Sequence, residues 1–236
     1  MARLKRLVAP KFWRLEKKKS KWTVAVRPGP HKKFDSIPLQ IILRDILKIV
    51  ETGKEARSVL TNREVLVDGR VVKDHAFPVG LLDVVAIPKI KKYYRIVPYK
   101  HGFTLVEISE GESKHKLLKI MDKKILKKGR VQLNLHDGRN LIVAKDEYAT
   151  GDSILVELPK MKIVEHVKLA PGNMILIFEG KHIGTTGKIK EVVVSKGKGP
   201  NKVVYEVHGE GDETIKDHVI VVGKSKPLVT VGAENA

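Results

Sequence analysis

The chain has 236 residues, no cysteine, and a formal net charge of +19 from 46 lysines and arginines against 27 aspartates and glutamates. The missing cysteines exclude a disulfide framework and a zinc–thiolate site, and the apolar runs are too short to span a bilayer. A compact cation of this size repels itself and needs a polyanionic partner, for which nucleic acid is the first candidate. Aromatic residues make up only 5%, so the cores must be built from Val, Ile and Leu.

Residues 1–36 carry over half of the excess charge, with twelve basic residues against Glu16 and Asp35, a net +10. They include the turn-rich stretch RPGPHKK and show no sustained hydrophobic period. We expect a basic N-terminal arm that is extended and orders on a partner; a disordered solubilising tail is the alternative. Trp13 and Trp22 lie among these lysines, where they either stack on bases or anchor the arm to the protein's own core.

Residues 37–88 predict a small unit of two helices and a hairpin. Pro38 suits a first helical turn. An apolar stripe follows at helical spacing, formed by Leu39, Ile42, Leu43, Ile46 and Leu47. Thr52 and Glu55 have the spacing of a capping box, which begins a second helix near Lys54 and Arg57. The stretch EVLVDGRVV then alternates into an Asp-Gly turn, the signal of a β-hairpin, and PVGLLDVVAIP adds a turn and a strand.

This pattern, with V-x-V-D-G-x-x-V and a later G-x-x-D-V-V, resembles the S4-type RNA-binding domain of ribosomal proteins, pseudouridine synthases and a tyrosyl-tRNA synthetase. The resemblance implies contacts with the RNA backbone by Lys54, Arg57, Arg63 and Arg70. The domain often has Gly where Arg63 stands and Asn where Asp68 stands. Asp serves equally well in a turn, whereas Arg63 suggests a different start of the strand and a further phosphate contact. Alternatively, Lys54 and Arg57 are solvated helix residues.

Residues 89–160 predict a central β domain. Apolar and polar residues alternate strictly over residues 131–135, HDGR is a turn, and residues 141–143 form the returning strand, a pattern typical of a hairpin. The stretch TGDSILVELP adds a turn and a strand. The stretch GDSI resembles the nucleophile block of a family of serine esterases. Esterase chemistry is rejected because Ser153 opens an apolar strand and no Asp-x-x-His pair follows near the C-terminus.

Residues 161–223 contain GKHIGTTGKIK, which looks like a phosphate-binding loop. A Walker A motif would need Gly where His182 stands and Ser or Thr where Ile189 stands, and it would open a helix. The β-branched IKEVVV that follows is typical of a strand, so a nucleotide site is excluded. Residues 224–236 are expected to form a C-terminal tail.

The stretch GNMILIFEGKHIGTTGKIKEVV instead resembles the KOW motif of SH3-like barrels in ribosomal proteins and transcription elongation factors. The glycines Gly180, Gly184 and Gly187 permit positive φ and close backbone approach, or serve turn geometry alone. The exposed side chains expected beside them, Lys181, His182 and Lys188, would contact RNA.

The whole chain resembles the S4e family of small-subunit ribosomal proteins, in its shorter archaeal form. The resemblance rests on the order of five features: RLKRLVAPKFW, RPGPHKK, the S4-type unit, VQLNLHDGRN and the KOW unit. The implied fold is a multi-domain α+β chain: basic arm, helix-hairpin RNA-binding domain, small β domain and SH3-like β barrel. The implied function is that of a structural constituent of the small ribosomal subunit, supporting assembly and translation. Its implied partners are 16S-type rRNA and neighbouring ribosomal proteins in the cytoplasm.

No catalysis, cofactor, membrane or small-molecule substrate is expected, and the scattered histidines give no metal motif. The alternatives are a KOW-containing transcription or translation factor and an RNA-modifying enzyme with an S4-type accessory domain. Residues 89–160 are too few and too rich in strand to form the enzyme's catalytic domain. The arm supplies the remaining candidates for RNA binding, namely Arg3, Lys5, Arg6, Lys11, Trp13, Arg14, Lys17, Lys18, Lys19, Lys21, Trp22, Arg27, His31, Lys32 and Lys33.

Overall fold

The computed structural model describes residues 3–100, 102–195, 197, 199–207 and 209–232, without the side chains of Arg3 and Lys128. The chain is mostly β-structure with few helices, which agrees with the expected α+β class at this coarse level. It divides into two compact units, Met1–Ile96 with His101–Lys114 and Val97–Lys100 with His115–Ala236. The finer division into four segments and a tail stays a prediction.

Nine strands run from residue 3 to residue 107. They form the two-stranded sheets β1-β2 and β3-β6 and a five-stranded sheet in the order β5-β4-β7-β8-β9. Their bounds are β1 Arg3–Lys5, β2 Trp22–Val24, β3 Ser36–Pro38, β4 Leu66–Val67, β5 Arg70–Val71, β6 Pro78–Gly80, β7 Val84–Ile87, β8 Lys92–Tyr99 and β9 Gly102–Glu107. The Asp68-Gly69 turn joins β4 to β5 with positive φ at both residues (50° and 71°), as the hairpin prediction requires.

The described residues of the first unit form three α-helices: α1 (Leu39–Ile41), α2 (Gly53–Thr61) and α3 (Glu110–Ser113). The predicted apolar stripe forms α1 and continues directly as a π-helical turn, Ile42–Ile46. Because the stripe repeats at helical spacing, Leu39, Ile42 and Leu43 all lie in the core, next to Ala56 and Leu60 of α2. The predicted two-helix arrangement is confirmed.

Ten strands form the two sheets of the second unit, in the orders β12-β11-β10-β13-β14 and β18-β17-β16-β15-β19. The predicted hairpin at residues 131–143 is confirmed as β11 and β12, paired antiparallel. The bounds are β10 His115–Ile125, β11 Val131–Leu135, β12 Asn140–Val143, β13 Ser153–Glu157, β14 Lys162–Val167, β15 Met174–Ile177, β16 Thr186–Val193, β17 Lys202–Val207, β18 Glu210–Ile215 and β19 Val219–Gly223.

The N-terminal segment packs on the first unit instead of standing extended. Trp13 ends a 3-10 turn and is only 1% exposed, and its Nε1 donates a hydrogen bond to the carbonyl oxygen of Ser36 at 2.9 Å. Arg6 is also buried, and its guanidinium pairs with Asp45 at 3.6 Å. The expectation of an extended arm is therefore corrected, because an indole with a satisfied N–H gains more from the core than from water.

We expect Trp13→Ala to lower the free energy of unfolding by about 3–5 kcal/mol, because it leaves a cavity in the core and orphans a buried carbonyl. Trp22→Ala is the matched control, since Trp22 is 43% exposed and exposed substitutions change stability by about 0.5 kcal/mol or less. Urea denaturation measures both variants. Equal losses for the two would contradict the anchoring role of Trp13.

A buried ion pair joins strand β10 to the β11–β12 turn in the second unit. Lys116 and Asp137 have fully buried side chains and lie 3.3 Å apart, Nζ to Oδ2. Burial alone would raise the pKa of Asp137, but the nearby charges of Lys116, His136 and Arg139 outweigh it and lower that pKa below its ordinary value of 3.8. The carboxylate also accepts a hydrogen bond from the backbone N–H of Arg139, so it holds the turn closed.

Asp137→Ala should cost about 3–5 kcal/mol of stability, because it removes a carboxylate that pairs with the buried Lys116 ammonium. The double variant Lys116→Met/Asp137→Leu should lose less than the single variant, because both charges are gone. Since the folded-state pKa of Asp137 is depressed, its contribution is present above pH 3.8 and disappears as pH falls through the folded value. Urea titrations from pH 3 to 7 test this; a single variant no worse than the double one would contradict it.

Candidate nucleic-acid interface

Helix α2 presents exposed cations on a well-capped frame. The Thr52 hydroxyl accepts a hydrogen bond from the Glu55 N–H at 3.2 Å, and the Glu55 carboxylate reaches back to the backbone of residues 51 and 52, so the predicted capping box is confirmed. These hydrogen bonds lower the pKa of Glu55, and the bond with the Glu51 backbone has the largest effect. Lys54 and Arg57 are exposed on the first two turns.

Arg27 and Arg57 come from different predicted segments, and the charges of both act on His75. The pKa of His75 is lowered mainly by burial and next by the charge of Arg57, and the charge of Arg27 lowers it further. The charge of Asp74 acts in the opposite direction. Arg27 Nη1 also lies 3.1 Å from Asp74 Oδ2. His75 Nδ1 lies 3.5 Å from the other oxygen of the same carboxylate, so Asp74 links Arg27 of the N-terminal segment to His75, which the sequence did not indicate.

The remaining candidates of the first 36 residues fall into two groups. Arg6, Trp13 and His31 serve the fold itself; the His31 side chain is nearly buried, with Nε2 2.9 Å from Asp83 Oδ2. We take these three out of the interface because their polar atoms face protein partners. Lys17 is partly buried and donates to the Ala9 carbonyl, and the side chain of Arg3 lies outside the described part. Exposed side chains are those of Lys5, Lys11, Arg14, Lys18, Lys19, Lys21, Trp22, Lys32 and Lys33.

The Gly-rich stretch of the second unit connects β15 to β16 by tight turns. Gly184 has φ 85°, and a Cβ there would lie 3.0 Å from the Pro98 carbonyl oxygen; at Gly187 it would meet the Tyr205 ring at 2.8 Å. Both glycines therefore allow close backbone approach. Lys181 and Lys188 are exposed, whereas His182 lies 3.0 Å from Asp212 Oδ2.

The stretch GDSI has a structural role. Ser153 begins β13 and is fully buried, and its hydroxyl accepts a hydrogen bond from the Val221 N–H at 3.1 Å. The Asp152 carboxylate contacts His166 at 2.8 Å and accepts from the N–H groups of Ala149 and Leu169. A hydroxyl so enclosed cannot attack a substrate, which agrees with the rejection of an esterase.

A polar cavity of about 220 Å³ lies beside Lys119 on β10, lined also by Thr150, Asn201 and Lys216. Lys119 Nζ donates to the carbonyl oxygens of Lys216 and Asp217 at 3.1 and 2.8 Å. Burial lowers the pKa of this ammonium from 10.5 to about 8, and the charge of Lys216 acts in the same direction.

Because the folded-state pKa of Lys119 is depressed, the unfolded chain binds more protons between pH 8 and 10.5, and this lysine makes stability rise with pH over that window. Lys119→Met should remove that rise, whereas replacing the exposed Lys160 by Met should leave it. Urea denaturation at several pH values tests this by measuring how the free energy of unfolding of each variant differs from that of the wild type. An identical pH slope for wild type and Lys119→Met would contradict it.

Sequence reasoning left out a group of cations at one end of the five-stranded sheet. Lys89, Lys91 and Lys92 are exposed around a 3-10 turn, Pro88–Ile90, between β7 and β8. The lysines of the stretch PKIKK can be read from the sequence. That Arg63 lies at the same end of the sheet follows only from the pairing of β4 with β7. Within the described ranges, no group of three or more His, Asp or Glu side chains could hold a metal ion, and no helix there is long and apolar enough to cross a membrane.

Comparisons with known proteins agree over almost the whole chain. Residues 90–163 match the model of the family described as Ribosomal family S4e, and residues 2–34 match the RS4NT (NUC023) domain. The small ribosomal subunit protein eS4 of Methanosphaera stadtmanae is 43% identical, covering 98% of this chain and 96% of that protein. The protein of the same name from Archaeoglobus fulgidus is 43% identical, covering 97% of each chain.

A solved structure is similar as well. The crystal structure of the 30S ribosomal protein S4e from Thermoplasma acidophilum matches with a TM-score of 0.70 and 37% identity, covering 81% of this chain and 96% of that one. The class to which the matched proteins belong is that of ribosomal structural proteins. The chain belongs to the ribosomal S4e family, so the resemblance stated from the sequence is confirmed. The expectation that the chain is not an enzyme is confirmed by the same membership.

Proposed function

We propose that this chain is a structural constituent of the small ribosomal subunit, in the cytoplasm, and that it binds 16S-type rRNA and neighbouring ribosomal proteins. Membership of the S4e family at 43% identity over 98% of the chain carries this proposal. The net charge of +19 supports it, because neutralising phosphates with lysine and arginine releases counterions and favours binding.

We infer that the RNA-binding surface of the first unit consists of the exposed lysines of residues 1–36 together with Lys54, Arg57, Arg63 and Arg70. The ion pair of Arg27 with Asp74, next to His75, supports a surface that includes a cation of the N-terminal segment. Since A-form RNA hides its base edges in a deep groove, phosphate and sugar contacts fix the register.

The second unit would add a further RNA contact at its Gly-rich turn. We infer that residues 161–223 form an SH3-like barrel with a KOW motif, which the antiparallel sheet β18-β17-β16-β15-β19 supports. Lys181 and Lys188 are its exposed cations. His182 would contribute less, because Asp212 competes for its imidazole.

A salt titration with a small-subunit rRNA transcript tests the proposal. If about six to ten phosphates are neutralised, affinity should fall roughly a thousandfold or more between 50 and 200 mM salt. A nearly flat titration would overturn it. Cosedimentation in a sucrose gradient is the second test: the chain should travel with the 30S particle, whereas a transcription factor would travel with polymerase.

Matched triple variants separate a defined surface from net charge alone. Lys11, Lys18 and Lys32 are exposed, and replacing them by Gln should reduce the salt slope by about one for each lysine that contacts a phosphate. The control replaces Lys145, Lys190 and Lys202 by Gln, which lie 3.9, 3.1 and 2.7 Å from carboxylates. Both variants lose three charges, so equal losses of affinity would mean that these arm lysines are no part of the interface.

A further inference from the structure

Several exposed cations of the first unit have a left-handed backbone. Arg14, Lys48, Arg63 and Lys91 have φ values of 51°, 53°, 61° and 54°. Glycine adopts this conformation without steric cost, whereas the Cβ of other L-residues crowds the following carbonyl oxygen. A residue that persists in such a conformation is a reason to look for a function of its side chain.

Arg63 stands where a helix-ending glycine would normally lie. It is the second residue after α2, and its N–H donates to the Leu60 carbonyl at 3.1 Å while the Glu64 N–H donates to the Val59 carbonyl at 3.3 Å. These two bonds form a Schellman motif, whose left-handed position is usually Gly. Here an arginine occupies it, with its side chain exposed.

Lys91 occupies an equivalent position at a different turn. Its N–H donates to the Pro88 carbonyl at 3.0 Å, and its left-handed φ closes the 3-10 turn that precedes β8. Its side chain is exposed as well. Neither this turn nor the end of α2 needs a cation for its own hydrogen bonds.

The sheet register brings the two cations to the same end of the first unit. Leu66 of β4 lies opposite Ala86 of β7, and Ile87 of β7 lies opposite Lys92 of β8. Arg63 lies three residues before β4 and Lys91 lies directly before β8, so both are at the end of the sheet where β7 finishes, on the two strands that flank β7. The ion pair between Lys89 Nζ and Glu64 Oε1, at 2.9 Å, spans the same end of the sheet.

The charge at this end remains positive. The carboxylate that follows Arg63, Glu64, is already bound by Lys89, and Lys92 adds another exposed cation. Among the described residues, no carboxylate oxygen lies within 4.0 Å of the side-chain nitrogens of Arg63 or Lys91. A ligand for this end must therefore be anionic.

We propose that Arg63 and Lys91 form a phosphate-binding pair that holds the rRNA backbone at this end of the sheet. The two positions keep cations at a cost in folding stability because these cations bind phosphodiester oxygens. Arg63 suits a bidentate contact and Lys91 a point charge. The proposal rests on the proposed function and adds Lys91 to its interface.

Glycine substitutions should separate stability from binding. Lys91→Gly and Arg63→Gly should each raise the melting temperature, by about 2–4 °C, because they relieve the left-handed crowding. Each should also weaken binding to a small-subunit rRNA transcript several-fold and reduce the salt slope by about one. A gain in stability combined with a loss in affinity is not expected of a residue that only serves the turn.

Charge and conformation are then varied separately. Lys91→Arg and Arg63→Lys keep the cation and should keep most of the affinity, whereas Lys91→Asn and Arg63→Asn tolerate the left-handed backbone but should bind as weakly as the glycine variants. Lys114→Asn is the matched control. Lys114 is exposed in the same unit, has φ −81° and pairs with Glu110 at 3.7 Å, so the salt slope should not change.

The possible failures are distinguishable. If the wild type shows steep salt dependence and the Gly and Asn variants bind equally well, the phosphate-binding pair is overturned while the proposed function stands. If the glycine variants melt below the wild type, the claimed cost of the cations is overturned. If the wild type itself binds the transcript with a flat salt dependence, the proposed function fails first.

Discussion

The burial of Trp13 is the contact on which the arrangement of the first unit depends. A single indole, with its N–H bonded to the Ser36 carbonyl, fixes a segment of net charge +10 to a core of Val, Ile and Leu. Lysines of this segment that would otherwise sample many positions are thereby held on the first unit. A binding surface that is ordered in advance loses less conformational entropy when its partner docks, so in the proposed RNA complex this anchor would favour binding without a contact of its own to RNA.

The chain also divides its cations between two roles. Arg6, Arg95 and Lys116 are buried and pair with Asp45, Glu112 and Asp137, because a charge removed from water needs a compensating partner. Most of the other cations lie at the surface, where water solvates them and where they add to the positive field. Buried lysines and arginines therefore stabilise the fold, and exposed lysines and arginines generate the positive field at the surface.

Local signals predicted the elements well and the site only in part. The capping box at Thr52, the hairpin at Asp68-Gly69 and the strand pair at 131–143 follow from patterns within a few residues, and the structure has them. The alternatives for Trp13 could not be separated, because its burial depends on contacts with residues far along the chain. For the same reason the sequence could not show that Arg6 and His31 pair with carboxylates of the fold, or that Lys91 lies at the same sheet end as Arg63.

By itself, the amino-acid sequence determined the charge, the capping box and hairpins, the family and the exclusion of a nucleotide or esterase site, because each of these follows from short patterns and their succession. The tertiary structure decided which cations are buried, which pair with carboxylates such as Asp74, and which lie in left-handed turns at a common sheet end. These properties depend on side-chain packing and strand pairing between distant residues. Composition and spacing cannot predict these properties for a single residue. Any lysine or arginine contributes the same charge to a sequence pattern, whereas its burial and contacts depend on its place in the fold.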